Sequence, residues 1–173
     1  MHPLGPPTRQ PRPRSLPAAR YQAGGRRLLL GGDFYDAVRD DDGALHVMVG
    51  DVSGHGPDEA ALGVRLRIAW RALVLAARPA EEILSTLQQV LVHERHREQI
   101  FATVCVLTIA PDRRHARIHL AGHPAPVLID GRSVRLLAEA RVIPPLGVVV
   151  RTSWPATEVV LPRSGRCCRS PTG

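Results

Sequence analysis

GGDFYDAVRDDDGALHVMVGDVSGHG, residues 31–56, carries five aspartates in its first dozen positions and a sixth, Asp51, at the end of an apolar run. The apolar residues on either side of the aspartates make two strand-like segments, LLLGGDFYDAV and ALHVMVGDV. Between them DDDG ends in Asp-Gly, a strong turn signal, so the stretch predicts a β-hairpin. Asp51 then stands between a strand and the turn VSGHG. A carboxylate placed against a core is costly unless it is hydrogen-bonded or paired with positive charge.

Working outward, GPDEAALGVRLRIAWRALVLAARP predicts a helix. Pro57 suits its first position, and Asp58 and Glu59 suit the positive end of its dipole. Leu62, Leu66, Ala69, Leu73 and Ala76 recur at 3–4 spacing as its apolar face, and Pro79 stops it. AEEILSTLQQVLVHERH predicts a second helix with Ile83, Leu84, Leu87, Val90 and Leu91 as its stripe. Strands return in FATVCVLTIA, which is apolar on both faces and therefore central. ARIHLAGH follows, with Ile118 and Leu120 alternating with Arg117 and His119. PVLIDGRSVRLL reads as a hairpin turning at Asp130-Gly131, and ATEVVL as a last short strand. Hairpins dominate and no βαβ unit occurs, so the class is α+β, with helices packed on an antiparallel sheet or sandwich.

The 173 residues suffice for one domain with a real core. Hydrophobic residues make 44% of the chain and aromatics only 3%, so aliphatic side chains must fill that core. All 23 basic residues are arginine, and the net charge is +7. Residues 1–27 hold six arginines and no acid, and residues 162–173 hold three and none. The stretch between has 14 arginines against 16 acids, so the basic character belongs to the ends. Nucleic-acid binding would want a basic folded face with aromatics to stack on bases, and neither is present in the pattern. Residues 1–16 are rich in Pro and Arg and read as a disordered segment, 17–162 as the folded domain and 163–173 as an irregular basic tail. Cys105 lies in an apolar strand, and Cys167 and Cys168 are adjacent, which is neither a disulfide framework nor a metal-ligand spacing. A reducing cytoplasm is the expected compartment. No apolar run approaches the roughly 18 residues of a membrane span, and the N-terminus lacks a secretory h-region.

Two readings of GDVSGHG stand side by side. In one, Asp51 or Ser53 caps backbone N–H groups at a strand-to-helix turn. In the other, Asp33 and Asp51, on neighbouring hairpin strands, approach each other and hold a hard cation such as Mg²⁺ or Mn²⁺. Two such ions can clamp a phosphate and activate water. Asp36 is a candidate accessory ligand, whereas Asp40, Asp41 and Asp42 suit a solvated turn. The segment lacks the Lys-Ser/Thr of a phosphate-binding loop. HERH at 93–96 is one residue short of a zinc-protease spacing and suits a solvated helix end. His119 and His123 suit structural roles.

GGDFYDAV, VMVGDVSGHGPDEAAL, FATVCVLTIAPDRRHARIHLAGHPAPVLI and PPLGVV, in this order and spacing, resemble the SpoIIE-type branch of the metal-dependent Ser/Thr protein phosphatases, the PPM superfamily. The resemblance covers about residues 18–162. It implies an antiparallel β-sandwich flanked by helices, with a two-metal Mn²⁺ or Mg²⁺ centre at one end. By position, Asp33 resembles a metal-site aspartate, Asp51 the aspartate bridging the two metals, and Val52 the residue lending its backbone carbonyl. The implied activity is hydrolysis of phosphoserine or phosphothreonine with no covalent enzyme intermediate. The implied substrate is a phosphorylated anti-sigma-factor antagonist, as for bacterial relatives, in the cytoplasm. The chain departs from the family after VVLP. The family continues into a strand ending in a Thr-Asp-Gly metal aspartate, with a further Asp later, whereas here no acid follows Glu158. The expectation is a domain lacking its last strands through truncation or a frameshift. Leu120 also stands where many relatives carry a polar residue. A second reading is therefore a non-catalytic pseudo-phosphatase fragment that binds a regulatory partner.

Overall fold

The computed structural model describes residues 31–130, 133–138, 143–150, 152–162 and 166–168. The 1–16 segment, the start of the first strand at 28–30, and Gly131 lie outside the described residues. The 31–56 stretch forms the hairpin its pattern predicts, β1 (Gly31–Arg39) and β2 (Leu45–His55). Burial along β1 alternates strictly, which is the signature of a strand with one face in a core. The helices follow as α1 (Pro57–Leu75) and α2 (Ala80–Glu94). Strands β3 (Ala102–Ile109), β4 (His115–Ala121), β5 (Val127–Asp130), β6 (Ser133–Leu136) and β7 (Thr157–Val160) complete the expected order. An additional strand, β8 (Arg166–Cys168), pairs antiparallel with β5 inside the stretch expected to be an irregular tail.

Five strands make one antiparallel sheet in the order β1-β2-β3-β4-β7, and three make a second in the order β6-β5-β8. Among the described residues the fold is thus α+β, with two antiparallel sheets and two helices. β3 is the middle strand of the larger sheet and is apolar on both faces because each face meets its own core. Ala102, Val104 and Val106 join α1 and α2 in a cluster with Phe34, Met48, Leu66, Trp70 and Leu87. Cys105 and Leu107 point the other way, into a cluster with Ile118, Leu120 and Leu128 of the second sheet. Fully burying each of the Val, Leu, Ile, Phe and Met side chains among these contributes roughly 1.5–3 kcal/mol.

One detail corrects the sequence reading. The buried face of α1 is Leu62, Gly63, Leu66, Trp70 and Val74; Ala69 and Leu73 only flank it, and Ala76 lies on the exposed C-cap. The helix carries apolar residues on more than one side, and the side that bears Trp70 turns inward. His119 is also buried, at 1% exposure, although it alternates with Ile118 and Leu120. Its Nδ1 lies 2.8 Å from the Trp154 carbonyl, which satisfies the ring where it enters the core. No helix among the described residues is long and apolar enough to cross a membrane.

Candidate metal centre

The β1–β2 register sets Asp33 directly opposite Asp51, and the β2–β3 register sets Asp51 opposite Thr103. Residues directly opposite on neighbouring strands share a face, with Cβ atoms about 4.5–5.5 Å apart. Asp33, Asp51 and Thr103 therefore form a row across one end of the sheet, exposed at Asp33 and half-buried at the other two. The row lies on the face away from α1 and α2, because Phe34 and Val52, one residue along, point into the helix-side core. Two carboxylates in one cross-strand position repel each other unless positive charge sits with them.

The neighbouring backbone is shaped around this pair. The β1–β2 ladder is irregular between Gly31 and Asp33. A Cβ on Gly32 would strike the Val52 carbonyl oxygen, so only glycine lets β1 pass this close to Val52. The Val52 side chain is fully buried, which leaves only its backbone to face the site. Beyond it the strand end is tied to β3: the Ser53 N–H donates to the Phe101 carbonyl at 2.9 Å, and the Phe101 N–H donates to Ser53 Oγ at 3.0 Å. Gly54 and Gly56 then adopt φ of 103° and 134°, turning the chain into α1 at Pro57.

Asp36 does not join the pair. It sits on the opposite face of β1, 6% exposed, where both carboxylate oxygens accept from Arg71, the Nε contact being 2.8 Å. Burial raises its pKa, but the Arg71 hydrogen bonds, the Ala37 N–H and the charges of Arg71 and Arg67 outweigh that and hold it below 3.8. Asp40 caps the hairpin turn by accepting from the Ala44 N–H at 2.7 Å, while Asp41 and Asp42 are exposed. His96 pairs with Glu59 at 3.6 Å rather than joining His93 around an ion. A cleft of about 530 Å³ lies between α2 and the segment that carries Gly147, Val149, Thr152 and Trp154; among its described lining residues, which include Gln88, His93 and Arg95, there is no carboxylate.

Asp33, Asp51 and the Val52 carbonyl are all-oxygen donors, the set a hard divalent cation takes. Among the described residues no cluster of three or more His, Cys, Asp or Glu is gathered in the way a metal would need. Sequence reasoning did not single out Thr103, and it set a structural role for His123 above ligation. Their placement follows from the β2–β3–β4 registers, which no local pattern encodes.

The sequence profile of the family Stage II sporulation protein E (SpoIIE) matches residues 41–168. Among solved structures, the RsbU and RsbW domains of Rv1364c from Mycobacterium tuberculosis superpose with a TM-score of 0.69 at 30% identity, over 79% of this chain and 37% of that one. The SiaA PP2C domain of Pseudomonas aeruginosa superposes with a TM-score of 0.62 at 24% identity, over 76% of this chain and 52% of that one. RsbX in complex with magnesium shares the fold, with a TM-score of 0.66 at 16% identity, over 84% of this chain and 68% of that one. The chain therefore spans between a third and about half of the first two relatives. A profile match over most of the chain, on the antiparallel fold that carries the opposed aspartates, places it: the chain belongs to the SpoIIE family, as a PPM/PP2C-type phosphatase domain of the SpoIIE/RsbU kind.

Proposed function

We propose that this domain hydrolyses phosphoserine or phosphothreonine on a small cytoplasmic regulatory protein of the anti-sigma-factor-antagonist type, using Mn²⁺ or Mg²⁺. The observation that carries the reading is the direct opposition of Asp33 and Asp51 at an open sheet end. Their carboxylates and the Val52 carbonyl would hold the cation. When bound, it would supply charge to neutralise the phosphate oxygens and to activate water. The chain's own contribution is positional. The hairpin register fixes the two carboxylates relative to each other, Gly32 lets β1 approach Val52 closely, and the Ser53–Phe101 bonds hold the strand end in place. An enzyme of this class needs no side-chain nucleophile at the site.

The lack of a third clustered ligand among the described residues favours a second reading, a phosphatase-like domain that binds a partner without turnover. Mn²⁺-dependent hydrolysis of p-nitrophenyl phosphate and of a phosphoserine peptide, with Asp51→Asn alongside, separates the two. Metal-dependent turnover lost in the variant supports the first reading. Folded protein without turnover would leave partner binding as the function.

A further inference from the structure

Thr103 and His123 adjoin the acidic pair and have no part in the reading above. β4 ends at Ala121, and Gly122, at φ 67°, redirects the chain beside Val104 in a parallel bridge. A Cβ on Gly122 would strike Pro145, so this bend needs glycine. The bend lays His123, only 7% exposed, against Thr103, with Nδ1 2.9 Å from Oγ1. Thr103 is in turn the cross-strand partner of Asp51.

A threonine hydroxyl has one proton and two lone pairs, and an ionised carboxylate only accepts. If His123 Nδ1 accepts, the Thr103 proton is spent on the ring. If Nδ1 carries the proton, Thr103 accepts from it and its own proton is available to the carboxylate opposite. We propose that His123 is a positioning residue for Asp51: its Nδ1–H donates to Thr103 Oγ1, and the Thr103 hydroxyl donates onward to the Asp51 carboxylate, fixing the direction in which that carboxylate faces a divalent cation. The inference rests on the proposed function's assignment of Asp51 to a cation. The row then runs from exposed Asp33 inward to buried His123, so the site is anchored at its dry end. Outer partners of this kind hold metal-ligating carboxylates in one orientation elsewhere.

Two measurements test it. Two-bond ¹⁵N–¹H spectra of the imidazoles report the His123 tautomer without any metal, with His123→Asn used to assign its signals. His119 is an internal reference, because its Nδ1 faces a carbonyl and must carry the proton. Mn²⁺ titration by calorimetry then compares wild type with Thr103→Val, His123→Ala and His123→Asn, whose amide can replace the Nδ1–H. The expected result is an Nδ1–H tautomer, about tenfold weaker binding in Thr103→Val and His123→Ala, and recovery in His123→Asn. An Nε2–H tautomer overturns the inference whatever the metal data show. Unchanged affinity in both weakened variants overturns it too, and leaves the proposed function standing. Wild type that binds no Mn²⁺ removes the proposed function, and the positioning role falls with it.

Discussion

Asp33 and Asp36 are three residues apart on one strand and face opposite ways, and that parity alone gives them different chemistry. Asp33 joins Asp51 on the open face, whereas Asp36 goes into the helix-side core and takes Arg71 with it. Because folding holds the Asp36 pKa below 3.8, the pair contributes stability above about pH 4 and loses it as the pH falls through the folded value. Arg71 is half-exposed, so solvent screens the pair. Arg71→Ala should cost about 1–2 kcal/mol in urea denaturation at pH 7, and clearly less near pH 3. Arg65→Ala, which breaks only the exposed pair with Glu94, should cost less than about 1 kcal/mol at pH 7. Equal losses for the two variants would contradict this account. The sequence put Asp36 among candidate ligands because proximity along the chain is visible there. The period of two already argued against it, since Asp33 and Asp36 cannot share a face of a regular strand.

At the level of elements, helix and strand identities were legible because their periodicities are strong, but the facing of α1 was not. Its outer surface also bears Val64, Ile68 and Leu75, so no single stripe stands out, and packing around Trp70 decides. The end of α1 carries a more specific feature. The Arg78 N–H donates to the Leu73 carbonyl and the Ala77 N–H to the Val74 carbonyl, a Schellman motif with alanine in the left-handed position at φ 53°. A Cβ there costs about 1–2 kcal/mol that glycine avoids. Ala77→Gly should therefore raise stability by about 1 kcal/mol, after its greater unfolded-state entropy is subtracted, and a lowered melting temperature would refute the assignment. The hairpin offers a sharper contrast. An added Cβ on Gly31 meets only the Asp33 backbone N at 3.9 Å, whereas on Gly32 it collides with Val52. Gly31→Ala should fall within about 0.5 kcal/mol of wild type, and Gly32→Ala should lose about 2 kcal/mol or more by denaturant melt. From sequence the two glycines look alike; only the irregular register tells them apart.

For the whole molecule, the larger sheet is the frame on which everything else is hung. One face carries both helices, and the other carries the second sheet over the β3–β4 half, where Leu128 meets Cys105, Ile118 and Leu120. On the β1–β2 half of that second face Asp33 and Tyr35 are exposed and Asp51 is half-buried. The family and the α+β class were legible because the motifs at the hairpin, the β3–β4 unit and the loop at 144–149 keep their order. The opposition of Asp33 and Asp51 was legible only as an approach of two strands, because register is a property of the pair and not of either segment. A cation that binds between these strands binds the folded state alone, since unfolding separates its donors by some 18 residues of flexible chain. Linkage then gives about 2.7 kcal/mol of added stability at a hundredfold excess of Mn²⁺ over its dissociation constant. For a domain of this size that is a rise of several degrees in melting temperature. The rise should be absent in Asp51→Asn and in Asp33→Asn, and should persist in Asp36→Asn measured against its own metal-free baseline. If Asp36→Asn loses the rise while Asp33→Asn keeps it, the cation sits on the helix side of the sheet and the centre drawn here is misplaced.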